Sequence, residues 1–299
     1  MLRRVLAALL LLSTGCTGVS VATSPQPLPT TDCSSLRSGE HSLTFAGKER
    51  RFLLSVPKGK GPHPVLLNLH GLGSNADQQA AYSGLPQAGR ERGYVVATPQ
   101  SDPDAFGWGL PGLAGPDDAG FLAALLDLLE RRLCVDKRRE FAAGMSMGAG
   151  MSTGLICGLR GRLAGVAPVA GINIVTACDK PEPTTIVAFH GTADTVVPYK
   201  GGHPFAGRSG RLSELGQLIT LAPVVDSVRA WAGGFGCGKT RTRGELREWT
   251  GCAEGVVVRL YTLKGGGHTW PGARPVARLG PTDPLPATKL ILDAFDAVR

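Results

Sequence analysis

The sequence predicts an α/β protein with a mostly parallel central sheet and helices on both faces of that sheet. From about residue 40 onward, short apolar runs alternate with segments whose apolar residues repeat at helical spacing. Several apolar runs are nearly continuous, which is typical of strands buried on both faces. Alternation of strand and helix favours parallel pairing. Because no linker and no repeat of fixed period interrupts the pattern, we expect one domain over residues 39–299.

The predicted elements follow one another along this domain. Residues 42–46 and 50–56 are expected to open it as an antiparallel pair. The further predicted strands are 64–69, 94–98, 140–143, 163–169, 185–189 and 256–263, and the predicted helices are 78–92, 117–133, a segment from about 148, and 224–231. The helix at 117–133 has the clearest pattern, because apolar residues recur at helical spacing and two aspartates stand at its start.

The first fifteen residues are typical of a lipoprotein-type signal peptide. Arg3 and Arg4 precede an apolar run over residues 5–12, which is too short to span a bilayer stably. Gly15-Cys16 resembles the lipobox of bacterial lipoproteins, in which the cysteine is lipidated; ordinary signal cleavage nearby is the alternative. Residues 16–38 are rich in Ser, Thr and Pro, as in a flexible tether. We therefore expect an exported protein, lipid-anchored at the cell membrane or envelope or extracellular.

Cysteine usage is consistent with export. The chain has seven cysteines, and six remain if Cys16 is lipidated. An even number of cysteines in an exported chain indicates disulfides, although six cysteines allow fifteen pairings. One pair lies within a single Gly-rich excursion and is favoured, and the other two are the simplest remainder. In that order, the expected pairs are Cys237–Cys252, Cys157–Cys178 and Cys33–Cys134.

The net charge of +8 does not predict a nucleic-acid partner. The basic residues are dispersed along the chain and few aromatic residues lie among them, so no nucleic-acid-binding patch is indicated. We expect contact with a membrane only through the N-terminal lipid anchor. The sequence leaves the oligomeric state open.

The pattern Gly-x-Ser-x-Gly occurs twice, around Ser146 and around Ser152. Ser146 follows the predicted strand 140–143 and precedes a predicted helix, which is the context that a nucleophile elbow needs. Ser152 lies six residues later, inside that helix, where a serine hydroxyl normally bonds to a backbone carbonyl. We therefore expect Ser146 to be a nucleophile and Ser152 to serve packing.

An acid and a base follow two other predicted strands. Asp194 comes after strand 185–189, and His268 comes after strand 256–263 within a run of glycines. In an open α/β sheet, functional residues gather at the carboxyl ends of the strands. The order Ser, Asp, His is the one expected of an α/β-hydrolase. The sequence therefore predicts a catalytic triad of Ser146, Asp194 and His268.

Two backbone N–H groups are expected to stabilise the oxyanion of this reaction. Met147 follows the nucleophile, and Leu72 lies in the loop after strand 64–69. His70 and His190 also stand at strand ends, and we expect both to support their loops structurally.

Four motifs in this order resemble the polyhydroxybutyrate depolymerase-like esterases, which are α/β-hydrolases related to bacterial and fungal feruloyl esterases. The motifs are His70-Gly-Leu-Gly, Gly144-Met-Ser-Met-Gly, His190-Gly-Thr-Ala-Asp and Gly266-Gly-His-Thr-Trp-Pro-Gly. With the lipobox, the chain resembles an actinobacterial lipoprotein esterase of this kind. The resemblance covers roughly residues 40–299 and implies the α/β-hydrolase fold, the same triad and a Cys237–Cys252 bridge.

The implied function is a secreted serine carboxylic ester hydrolase that works through an acyl-enzyme, with no metal or organic cofactor. Its substrate would be a small or oligomeric ester of the short-chain, hydroxyalkanoate or feruloyl type. We expect the loops 101–116, 199–223 and 269–286 to set specificity, with Trp108 and Trp270 as candidates to stack on the acyl group or simply to pack. A cell-envelope acyltransferase with the same triad and a non-catalytic binding lipoprotein are the alternatives.

Overall fold

The computed structural model describes residues 35–111, 115–206 and 210–298. The predicted signal peptide and most of the predicted tether, with Cys16 and Cys33, lie outside the described residues. Within those ranges, no helix combines the length and the apolar character needed to cross a membrane.

Ten strands of the described chain form one sheet, in the order β1-β2-β4-β3-β5-β6-β7-β10-β9-β8. The strands are β1 (Gly39–Phe45), β2 (Lys48–Ser55), β3 (His63–Leu69), β4 (Val95–Pro99), β5 (Val135–Met145), β6 (Gly165–Val169), β7 (Thr185–Gly191), β8 (Lys239–Arg243), β9 (Leu246–Thr250) and β10 (Val258–Leu263). The helices are α1 (Ala76–Ser83), α2 (Leu85–Glu91), α3 (Asp118–Arg132), α4 (Met147–Gly158), α5 (Arg211–Gly216), α6 (Val224–Gly234) and α7 (Ala287–Asp296).

The six central strands, β4, β3, β5, β6, β7 and β10, are all parallel to one another. Antiparallel strands continue the sheet at both edges, β2 and β1 beside β4 and β9 and β8 beside β10. The predicted mostly parallel sheet is therefore confirmed, as is the predicted opening hairpin. β4, β6 and β7 are buried along their whole length, which explains their continuous apolar sequences.

Helices cover both faces of the sheet. On one face, Leu125 of α3, Leu155 of α4 and Trp231 of α6 belong to one buried cluster. On the other face, a second cluster contains Leu85 of α2 and Phe295 of α7. This arrangement buries both sides of the parallel strands, as the sequence predicted.

The structure departs from the predicted elements in three places. The helix predicted at 78–92 is two helices, because Gly84 adopts the left-handed conformation (φ 64°) and a proline follows in the first turn of α2. The short strand predicted at 140–143 is the end of the eleven-residue β5. The hairpin of β8 and β9 and the helix α7 were not predicted; β8 is exposed along its whole length, so it carries no apolar signal.

Two of the expected disulfides are present. Cys157–Cys178 joins α4 to the segment after β6, and Cys237–Cys252 closes the loop that holds β8 and β9. Cys134 is also disulfide-bonded, whereas its expected partner Cys33 lies outside the described residues. In the chain-entropy model, each of the two bridges, which span sequence separations of 21 and 15, stabilises the fold by about 3 kcal/mol.

A buried ion pair joins β2, α3 and the loop 101–116. Arg50 Nη2 lies 2.5 Å from Asp118 Oδ1, and both side chains are almost inaccessible to solvent. The second carboxylate oxygen of Asp118 accepts the N–H of Gly109 at 2.8 Å. The guanidinium of Arg50 also lies 3.8 Å from the centre of the Phe121 ring. Burial raises the pKa of Asp118, while the Gly109 N–H and Arg50 oppose that rise.

Replacing Asp118 by Ala should lower the free energy of unfolding by about 3–5 kcal/mol, because Arg50 would remain buried without its counter-charge. Urea unfolding at pH 7 measures the change. Arg229→Ala is the control, since it removes an exposed ion pair with Asp226 and should cost no more than about 1 kcal/mol. Equal losses in the two variants would contradict the importance of the buried pair.

Candidate active site

Ser146 lies in the sharp turn between β5 and α4. Its backbone has φ 57° and ψ −121°, which is an unfavourable conformation for a residue with a side chain. The turn is held because Ser146 N–H donates to Val169 O, and Ser146 O accepts the N–H of Ala149. The residue is partly exposed, so the hydroxyl is presented at the carboxyl end of the strand as a nucleophile elbow requires.

The two glycines of the first Gly-x-Ser-x-Gly motif are required by close backbone packing. A Cβ atom on Gly144 would lie 2.3 Å from Gly148 O. A Cβ atom on Gly148 would lie 2.2 Å from Leu69 O, at the end of β3. Larger residues at either position would push α4 away from the sheet and displace Ser146.

The second match behaves as predicted for a packing residue. Ser152 lies inside α4 and is fully buried. Its hydroxyl donates to Ala149 O at 2.8 Å. It therefore has neither the exposure nor the turn that a nucleophile needs.

Asp194 and His268 meet after the neighbouring strands β7 and β10. His268 Nδ1 lies 2.8 Å from Asp194 Oδ2, and both side chains are almost fully buried. A Cβ atom on Gly191 would lie 2.2 Å from Gly266 O, so the two loops approach closely because residue 191 is glycine. Since the carboxylate is only an acceptor when ionised, Nδ1 carries the proton and Nε2 is left as the basic atom.

The surroundings of Asp194 favour its ionised form. Burial raises the pKa of the carboxyl, but hydrogen bonds from His190 and His268 outweigh it and hold the pKa well below its usual range. The backbone N–H groups of Val196 and Val197 both donate to Asp194 Oδ1 at 2.8 Å. A carboxylate held by several donors stays charged and fixes the ring that faces it.

His190 has a more specific role than the loop support expected from the sequence. Its Nε2 lies 2.9 Å from Val197 O and 3.4 Å from Asp194 Oδ2. Because a carbonyl oxygen only accepts, Nε2 is protonated and donates to Val197 O, and the same nitrogen stands within ion-pair distance of the carboxylate. The spacing of four residues between His190 and Asp194 was the available sequence signal, but sequence alone does not show that the two side chains meet.

The loop after β3 is ordered by His70, a buried histidine. Its Nε2 accepts the N–H of Ser101 at 3.1 Å, so its Nδ1 is protonated and donates to Gly71 O at 2.9 Å. Burial lowers the pKa of His70, which is consistent with a neutral ring. The predicted supporting role of His70 fits these contacts.

The two residues predicted to supply oxyanion donors lie near the nucleophile. Met147 begins α4, where backbone N–H groups have no partner within the helix. Leu72 follows Gly71, and a Cβ atom on Gly71 would lie 3.9 Å from Ser146 Oγ. The side chains of Leu72 and Met147 both approach Gly107, so the two loops border the same small region.

The expectation that Trp108 stacks on substrate does not agree with the structure. Trp108 is only 2% exposed. Its indole N–H donates to His70 O at 2.8 Å, and its ring packs 4.9 Å from the His70 ring. Trp108 is buried because it supports the His70 loop, so its ring is not available to a ligand.

Trp270 combines features of the two roles expected for it, packing and contact with substrate. It is almost fully buried, and its indole N–H donates to Thr288 Oγ1 at 2.9 Å. It nevertheless lines a cavity of about 1200 Å³ that also includes Ser146, Leu72 and Tyr82. Tyr82, on α1, was not singled out from the sequence because α1 carries no motif of its own.

The bond between nucleophile and base is the one contact of the expected triad that is not formed. Among the described residues, no hydrogen bond joins Ser146 Oγ to His268, although His268 is bonded to Asp194. Such bonds are often long in enzymes without substrate and tighten when substrate binds. Only the acid–base half of the predicted triad is therefore assembled.

No protein-family model matches the chain. Among curated proteins, feruloyl esterase B of Piromyces equi is 32% identical over 236 residues, which are 73% of this chain and 42% of that protein. The protein named "Putative esterase NocK" of Nocardia uniformis subsp. tsuyamanensis is 28% identical over 324 aligned positions, 92% of each chain. The chain spans less than half the length of feruloyl esterase B, so that similarity concerns one part of the larger protein.

Solved structures with the same fold confirm the predicted architecture. Acetyl xylan esterase from Aspergillus awamori superposes with a TM-score of 0.58 at 14% identity, over 86% of this chain and 99% of that one. Native pOPH superposes with a TM-score of 0.56 at 16% identity, over 89% and 87%. Such low identities show the α/β-hydrolase fold alone. The sequence relatives, with the four motifs, show that the chain is related to the feruloyl esterases, and its fold is that of an α/β-hydrolase.

Proposed function

We propose that the chain is a carboxylic ester hydrolase that acts through an acyl-enzyme formed on Ser146. The main support is the placement of a strained, partly exposed serine at the end of β5, at the same edge of the sheet as the bonded Asp–His pair that follows β7 and β10. The family relationship to feruloyl esterases and to other esterases supports the same reaction class.

In this proposal, Ser146 Oγ attacks the ester carbonyl and His268 Nε2 takes the hydroxyl proton. His268 then gives the proton to the leaving alkoxide, and water repeats the sequence to release the acid. Asp194 stabilises the charged imidazolium without taking up a proton, because its donors keep it ionised. In this proposal, the contact between Ser146 and His268 forms when substrate binds.

The N–H groups of Met147 and Leu72 would bind the developing oxyanion. Backbone donors of this kind each lower the barrier by roughly 3 kcal/mol when they are fixed in advance. The neutral His70 ring would keep the Leu72 loop in place through its hydrogen bond to Gly71 O. Trp108 would in turn fix His70, because its indole N–H donates to His70 O and its ring packs on the His70 ring.

The relatives named feruloyl esterase suggest an aromatic acyl ester as substrate, and the cavity leaves room for a bulky alcohol part. Its volume of about 1200 Å³ exceeds that of a typical small-ligand pocket. We propose a feruloyl-type or short-chain ester, small or oligomeric, as the substrate class.

We further propose that the protein is exported and is held at the membrane by lipid on Cys16. The two described disulfides suit an oxidising compartment. The lipobox-like sequence and the Ser/Thr/Pro-rich segment behind it support an anchor with a tether. Metabolic labelling with a clickable fatty acid, lost in Cys16→Ala, tests the anchor.

Ser146→Ala should reduce kcat/KM for 4-nitrophenyl acetate and methyl ferulate by roughly 10⁴- to 10⁶-fold, because the nucleophile is removed. Ser152→Ala, which alters the second match of the same motif, should keep most of the activity. Labelling by a fluorophosphonate should disappear only in the first variant. Retained labelling in Ser146→Ala would reassign the nucleophile.

His70→Gln should flatten the pH dependence of stability. The folded protein holds His70 neutral, whereas the unfolded chain takes up a proton below about pH 6.5, so this group lowers the free energy of unfolding as pH falls from 7.5 to 5.5. Gln keeps an acceptor for Ser101 N–H but does not titrate. Urea unfolding at these two pH values gives the change in the free energy of unfolding. An equal change in wild type and variant would contradict the role of His70.

A further inference from the structure

One exposed aromatic ring lies beside the loop that follows β3. Among the described residues, the large hydrophobic side chains that are exposed are Phe106, Leu212, Leu218 and Ile219. Phe106 is the aromatic member of this set and is 67% exposed. A single exposed apolar residue needs no explanation in itself, so the position of the ring decides its meaning.

Phe106 packs on the loop that carries the proposed oxyanion donor. A Cβ atom on Gly73 would lie 3.3 Å from Phe106 Cζ and 3.7 Å from Phe106 Cε2. At the next residue, a Cβ atom on Gly107 would lie 2.7 Å from Met147 Sδ and 2.9 Å from Leu72 Cδ1. The ring therefore lies on Gly73, which lines the same cavity as Leu72 and Ser146.

The backbone under the ring is fixed on both sides. Before Phe106, Lys48 Nζ binds Asp102 at 3.0 Å and Asp104 at 2.8 Å, and Ala105 N–H donates to Asp102 O at 3.0 Å. After it, Trp108 is buried and bonded to His70 O. An exposed ring on a backbone held in this way loses little further freedom when a ligand covers it.

We propose that Phe106 is a specificity-determining residue that stacks on the planar aromatic group of an ester substrate. This inference rests on the proposed function and names the substrate class as aromatic esters, the feruloyl type included. Aromatic rings attract one another in offset or edge-to-face arrangements, and covering the exposed face removes apolar surface from water. The adjacent Trp108 leaves Phe106 as the ring of this segment that a ligand can reach.

Binding is tested apart from catalysis. The dissociation constant of methyl ferulate is measured by calorimetry in Ser146→Ala and in the double variant Ser146→Ala with Phe106→Ala. We expect binding about 3- to 10-fold weaker in the double variant, as for the loss of one aromatic contact. Phe106→Tyr in the same background should keep the affinity, whereas Phe106→Leu, which keeps apolar bulk without a ring, should not.

Turnover gives the second measurement. In Phe106→Ala, kcat/KM for methyl ferulate should fall about 3- to 10-fold while kcat/KM for triacetin, an ester without a ring, stays at the wild-type value. Fluorophosphonate labelling of Ser146 should be unchanged, which excludes loss of the folded site.

The outcomes separate this inference from the proposed function. Equal dissociation constants with and without the ring, no measurable binding of methyl ferulate, or equal losses for the two esters would overturn the role of Phe106. A ring-dependent affinity in a protein that hydrolyses no ester would support aromatic binding and overturn the hydrolase proposal alone.

Discussion

Parallel pairing of β5, β6, β7 and β10 is the constraint on which the candidate site depends. It brings the carboxyl ends of these strands to one edge, so that residues far apart in sequence, 146, 194 and 268, follow strands that end at the same edge of the sheet. The approach is closer than side chains would allow. Gly191 lets the loops after β7 and β10 touch, and Gly144 and Gly148 let α4 press against β3 and β5. The glycine-rich motifs are thus required by backbone packing as much as by chemistry.

The acid–base pair of the candidate site is assembled, whereas its contact with the nucleophile is not. Asp194 is held by two backbone N–H groups and two histidines, and this fixes the orientation of His268. Ser146 is fixed by its own strained turn, yet its hydroxyl does not bond to His268. The buried pair of Arg50 and Asp118 stabilises the segment that contains Gly109. In the same segment, Trp108 and Phe106 both pack on the loop after β3. Buried charge, packing and candidate substrate contact are therefore linked in one loop.

From the sequence we predicted the fold class and most of the strand–helix order, and we placed Ser146 in a strand-to-helix turn and Ser152 inside a helix. Each of these depends on local signals: apolar periodicity, strand-end position and turn-forming glycines. The sequence did not reveal the edge hairpin of β8 and β9, whose outer strand is polar, or the break at Gly84 inside an apolar pattern that continues across it.

The folded chain is needed to show which aromatic ring faces solvent and that His190 also approaches the carboxylate of Asp194. Trp108 and Phe106 stand two residues apart in the same loop, and from the sequence we named Trp108, not Phe106, as a candidate ligand contact. The loop turns Trp108 inward because its N–H finds His70 O there, and it leaves Phe106 outside. In an irregular loop, the direction of a side chain is set by partners that are distant in sequence. Such contacts leave no periodic pattern in the sequence from which they could be predicted.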